Sequence, residues 1–88
     1  MLIPTMNKTH DFKVKAVAST IRKRREFRNY TQEYLALKLN ISQNAYSKIE
    51  LGYTKITVER LFQIADILEF DVIDLIQPER SEFITATR

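Results

Sequence analysis

The chain has no cysteine and no tryptophan, and only one glycine, two prolines and one histidine in 88 residues. Without cysteine there is neither a disulfide framework nor a thiolate metal site, so a domain this small must rely on a packed core alone. His10 stands in a polar stretch with no second histidine at ligand spacing, and no metal site is expected. No apolar run approaches the roughly 18 residues of a membrane span, and the N-terminus lacks the basic start and apolar core of a secretory signal. The chain is therefore expected to be soluble and cytoplasmic, with no membrane partner. There is no glycine-rich phosphate loop and no nucleophile with a base at a readable spacing, so neither enzymatic activity nor a cofactor is expected.

What the chain does have is an ordinary globular hydrophobic fraction of 44% and a length that admits one domain. Its formal charge of +3 hides a division. Residues 1–55 carry 11 basic and 4 acidic side chains, whereas residues 56–88 carry 3 and 7. A basic half suggests a polyanionic partner, and the acidic half is the part least suited to lie against one.

Apolar positions recur at helical rather than alternating spacing, which predicts an all-α fold. A helix-start signature occurs four times: a small polar cap with an apolar residue before it and another four positions after it. The sets are Tyr30, Thr31 and Leu35; Ile41, Ser42 and Tyr46; Ile56, Thr57 and Leu61; and Phe70, Asp71 and Leu75. Asn29, Asn40 and Gly52 precede the first three as residue types suited to a left-handed helix end; Glu69, before the fourth, is the poor member. Val14, Val17, Ala18 and Ile21 form one face of a further helix. Five helices are expected, over roughly Lys13–Arg28, Gln32–Leu39, Gln43–Leu51, Val58–Leu68 and Val72–Ile76. Residues 1–11 then form a flexible N-terminal arm, residues 12–77 the domain and residues 78–88 a C-terminal tail.

Only Asn40, Ile41 and Ser42 join the second and third helices, so the two must cross steeply. Leu35, Leu39, Ile41, Tyr46 and Ile49 point into that crossing. Gln43, Asn44, Ser47 and Lys48 are left outward on the third helix. Amides and a lysine are what reading base edges requires, since Gln and Asn pair with adenine and Lys donates to guanine acceptors. The N-termini at Gln32 and Gln43 offer free backbone N–H groups where phosphates bind.

Residues 17–76 resemble the Cro/repressor (XRE-like) type of helix-turn-helix domain. The matching text is Ile21-Arg22, Arg25-Glu26, Thr31-Gln32-Glu33 with Leu35-Ala36, Ser42-Gln43, Ser47 with Glu50 and Gly52, and Leu61 with Ile64-Ala65 and Leu68. The resemblance implies a compact five-helix lambda-repressor-like domain that binds double-stranded DNA. It implies that Gln43, Asn44 and Lys48 face base edges, and that Gln32, Ser47, Tyr53, Thr54 and Lys55 approach the backbone. Arg25 and Glu50 occupy the positions of an internal salt bridge. Arg24 stands where the family usually has a core leucine, and must turn outward or run its stem along the surface; Tyr46 replaces a usual aliphatic. The rest of the cluster Arg22–Arg25 with Arg28 reads as a solvated face.

One such domain covers roughly four or five base pairs, so a homodimer on a pseudo-palindromic operator is expected. Phe70, Val72, Ile73 and Ile76, with Phe83 and Ile84 of the tail, are the expected dimer interface. An antitoxin or a restriction-modification controller would carry the same domain. A protein-interaction module without DNA binding is the alternative of another class.

Overall fold

Five helices follow one another among the described residues: α1 (Ile3–Phe27), α2 (Gln32–Leu39), α3 (Gln43–Glu50), α4 (Val58–Leu68) and α5 (Val72–Ile76). The computed structural model describes the backbone of residues 3–77 and the side chains of residues 12–77. Phe83, Ile84 and the rest of the tail lie outside the described residues, as does the side chain of His10. Four of the five helices begin where the caps place them. The exception is α1, which starts at Ile3 rather than Lys13, so the segment expected to form an arm is helical from that residue on. Pro4 is tolerated there because it falls in the first turn, where its missing N–H breaks no bond. Hydrophobic periodicity marks where a helix packs, not where it begins.

Three of the four expected N-caps bond as the sequence suggests, and the fourth, Asp71, makes no side-chain cap bond. Thr31, Ser42 and Thr57 each accept a 3.0 Å hydrogen bond from the backbone N–H three residues on. At the other ends, α1 to α4 all close on the same left-handed residue, at Asn29, Asn40, Gly52 and Glu69, with φ between 60° and 75°. In each case the N–H of the following residue reaches back to a carbonyl of the last turn: Tyr30 to Arg25, Ile41 to Ala36, Tyr53 to Lys48 and Phe70 to Ala65, at 3.0–3.2 Å. In three of these junctions that following residue also precedes the next cap, and Tyr30, Ile41 and Phe70 pack against the core. The α3–α4 connector is longer and separates the two roles. Ile56, just before the Thr57 cap, packs inward, and Tyr53 is left 74% exposed.

Every helix contributes to one core: Ile21 from α1, Leu35, Ala36 and Leu39 from α2, Tyr46 and Ile49 from α3, Ile64, Ala65 and Leu68 from α4, and Leu75 from α5. Val14, assigned to the buried face of α1 by its spacing, is instead exposed; Ala18 and Ile21 carry that face, with Val17 partly buried. Gly52 sets the approach of the α3–α4 connector to α1. A Cβ there would lie 2.9 Å from Lys15 Cγ, and its φ of +75° already disfavours any side chain.

The basic cluster of α1 is used more fully than a solvated face would be. Arg28 donates from Nε to the carbonyl of Leu68 (2.7 Å) and from Nη2 to that of Glu69 (2.9 Å), closing the end of α4. Arg24 runs its stem inward, its guanidinium 4.9 Å from the centre of the Phe70 ring and its Nε buried without an acceptor. Arg28 also lies over that ring, at 4.6 Å, so two cations pack on one aromatic. Arg22 alone makes a plain surface pair, with Glu26 at 3.1 Å.

Candidate nucleic-acid interface

With only eight residues, α3 divides sharply into two sides. Tyr46, Ile49 and Glu50 are buried, Ala45 and Ser47 are half-buried, and Gln43, Asn44 and Lys48 are exposed. The inward side carries an unusual feature, a carboxylate only 8% exposed. Arg25 donates to it twice, from Nε at 2.6 Å and from Nη2 at 3.1 Å. Gln32 donates from Nε2 at 3.0 Å, and the Tyr46 hydroxyl donates at 2.5 Å. The third Arg25 nitrogen, Nη1, bonds the carbonyl of Tyr30 at 2.8 Å. The salt bridge expected between Arg25 and Glu50 is thus present, within a larger knot that joins α1, the α1–α2 turn, the first residue of α2 and the last of α3.

A carboxylate has about four acceptor positions, and here four donors meet them. Burial alone would raise the Glu50 pKa, but the bonds from Arg25, Tyr46 and Gln32 and the charge of Arg25 outweigh it and hold it below the ordinary value. The Tyr46 hydroxyl moves the other way: burial first, then its bond to an anion, pushes it well above the usual tyrosine value. Arg25 is raised, chiefly by its bond to Glu50. At neutral pH the knot is therefore one arginine cation, one carboxylate anion and one neutral phenol.

The outward side of α3 opens on a groove of about 490 Å³. Asn44 and Lys48 line one wall, Thr54 and Lys55 of the connector the other, and Thr57 and Arg60 the end where α4 begins. Ile41, Ala45, Ile49 and Ile56 add apolar surface, and no carboxylate is among the lining residues. At the head of α3 the Ser42 hydroxyl satisfies only the N–H of Ala45. The first N–H groups of the helix have no intrahelical acceptor, and the positive end of its dipole faces the same way.

The structure thus brings together Asn44, Lys48, Thr54 and Lys55 from the residues singled out by sequence. Gln43 is exposed one position before Asn44, and Ser47 is half-buried; neither lines the groove. Tyr53 is exposed at the start of the connector. Gln32 lies apart, its amide nitrogen bonded to Glu50. Arg60 was missed. It lines the groove while bonding Gln63 (3.2 Å) and the carbonyl of Leu39 (3.4 Å). The available signal was its charge, one of only three basic residues after position 55 and three positions past the Thr57 cap.

The sequence pattern of the helix-turn-helix family matches residues 21–75, more than half of the chain. The chain belongs to the helix-turn-helix family. The match runs from the first helix's fully buried Ile21 to the last helix's fully buried Leu75, so it spans the packed unit and covers both sides of α3. The protein is a DNA-binding helix-turn-helix regulator of the Cro/repressor kind, with double-stranded DNA as its partner. Comparison with curated proteins and with solved structures gives no match. Among the described residues, no helix is long and apolar enough to cross a membrane, and no group of acidic or histidine side chains is placed to hold a metal.

Proposed function

We propose that this helix-turn-helix protein regulates transcription in the cytoplasm by binding a pseudo-palindromic operator as a homodimer, each α3 lying in the major groove. Gln43, Asn44 and Lys48 read base edges. Gln32, Ser47, Tyr53, Thr54 and Lys55 hold the backbone, joined by Arg60. The observation that carries this reading is the groove free of carboxylates: α3 turns Asn44 and Lys48 toward a space walled by a second lysine, an arginine and two threonines. A polyanion fits that space, whose charged side chains are all cationic.

Dimerisation involves the acidic end of the domain. Ile73 is 37% and Ile76 48% exposed on a helix of five residues. Phe70 and Val72, also expected there, are partly buried against their own core. Phe27 adds to the patch, 69% exposed and with its ring 6.0 Å from that of Phe70.

Selection of bound duplexes from random DNA tests the whole reading: two half-sites spaced by about 34 Å, one helical turn, are expected. On a recovered duplex, Gln43→Ala or Lys48→Ala should cost about 1–3 kcal/mol and relax the preference at one position. Lys55→Ala should weaken all sequences alike and reduce the salt slope by about 1. Unchanged affinity in both α3 variants would remove the base-reading assignment.

A further inference from the structure

Tyr46 places a phenol inside the apolar core. The ring is fully buried, and its O–H is spent on Glu50, one turn on in the same helix. Tyr46, Ile49 and Glu50 are the only buried side chains of α3. Two of these three therefore belong to the knot, and only Ile49 and the Tyr46 ring hold α3 by apolar contact.

That division matters because apolar contact is non-directional. It resists pulling α3 off the domain but does little against a roll about its own axis. With side-chain tips about 5 Å from the axis, a roll of about 20° moves each outward tip by about 2 Å, enough to break a hydrogen bond to a base edge. The knot supplies directional restraint. Arg25 fixes both carboxylate oxygens from α1, Gln32 fixes Oε1 from α2, and Tyr46 occupies the remaining side of Oε2 from within α3 itself. Fully satisfied buried networks specify one arrangement more than they add stability.

We infer that the Tyr46 hydroxyl is a specificity-positioning group: through Glu50 it locks the rotation of the recognition helix against α1 and α2, and so fixes where Gln43, Asn44 and Lys48 meet the bases. It touches no DNA and leaves Lys55 and Arg60, the groove-lining cations outside α3, where they are. The inference rests on the proposed reading of bases by α3, and adds that the accuracy of reading is set from inside the domain.

The test compares the full chain with Tyr46→Phe, which keeps the ring and removes the oxygen, and with Glu50→Gln, which keeps the shape and removes the charge. Folding of each is confirmed by helical circular dichroism at the assay temperature. Affinity is then measured for a duplex selected by the wild type and for a duplex of scrambled sequence, each over a range of salt. Both variants should lose about tenfold of the ratio between the two duplexes, the size of one misplaced base contact, while keeping the scrambled-duplex affinity and its salt slope. A merely stabilising hydroxyl would lower the melting temperature and leave the ratio intact in the folded variants, and that result overturns the inference. A ratio unchanged in Tyr46→Phe alone overturns the part assigned to the hydroxyl. A wild type that binds both duplexes equally fails earlier, taking the base-reading proposal with it.

Discussion

The α2–α3 and α4–α5 junctions are built alike. Each has a left-handed residue (Asn40, φ 60°; Glu69, φ 61°), an apolar residue packed on the core (Ile41; Phe70) and a polar cap (Ser42; Asp71). Their backbone bonds also correspond, Ile41 N–H to Ala36 and Phe70 N–H to Ala65. Yet one opens onto a cationic groove and the other carries its own anion. Ser42 uses a neutral hydroxyl on a single N–H, leaving the positive end of α3 without a counter-charge. Asp71 makes no side-chain cap bond, and its carboxylate adds a negative charge at the start of α5. Turn geometry is thus shared freely within this fold; the cap and the helix after it decide whether a turn can receive a polyanion.

The helices at these junctions also differ in anchorage, α3 through Glu50 and the end of α4 through Arg28, and the largest expected effect breaks that difference. Glu50→Ala should destabilise by about 3–5 kcal/mol in urea unfolding, because it strands a nearly buried arginine. Arg28→Ala should cost only about 1–2 kcal/mol, since it bonds the neutral Leu68 and Glu69 carbonyls, the second of them at the surface, and strands no charge.

Acid should expose the same asymmetry. The folded Glu50 pKa lies below its unfolded value, so its contribution is complete above about pH 4.3 and is lost as the pH falls through the folded value. Urea midpoints between pH 7 and pH 2 should fall more steeply for the wild type than for Glu50→Gln. Parallel curves would remove Glu50 as the source. In alkali the raised Tyr46 pKa acts in the opposite sense: its contribution is present below about pH 10 and lost as pH rises beyond it.

Smaller substitutions sharpen the comparison at single atoms. Ser42→Ala should cost about 1 kcal/mol by loss of the cap bond, whereas Asp71→Ala should change stability by only a few tenths, through the helix dipole. At the left-handed position, Glu69→Gly should stabilise by about 1 kcal/mol, and Asn40→Gly by less because asparagine tolerates that conformation. Thermal melts of the four variants check these values.

Most of the fold was readable because its determinants are local. Thr31, Ser42 and Thr57 cap within three residues of themselves, and Asn29, Asn40 and Gly52 announce helix ends by type. The start of α1 was not readable from an apolar pattern that reports packing only. At the interface, the outward side of α3 followed from helical phase, which places Asn44 and Lys48 correctly. The bond from Gln32 to Glu50 did not follow, because a hydrogen bond between helices depends on their crossing and not on spacing along one of them; the bond from Tyr46 lies within α3, four residues from its acceptor, and that spacing was its available signal. Arg24 shows the same limit: its arginine at a core position was legible, but not its partner, Phe70, 46 residues on.

The two-sided character of α3 has a consequence for how such a domain changes over time. Its inner residues answer to the knot and the core. Among the described residues, the side chains of Gln43, Asn44 and Lys48 hold no structural hydrogen bond, and all three are exposed. Exchange at these positions should leave folding nearly untouched, as surface substitutions away from caps and buried partners usually do. The same scaffold can therefore be re-addressed by a handful of substitutions, provided that Arg25, Gln32, Tyr46 and Glu50 are inherited together.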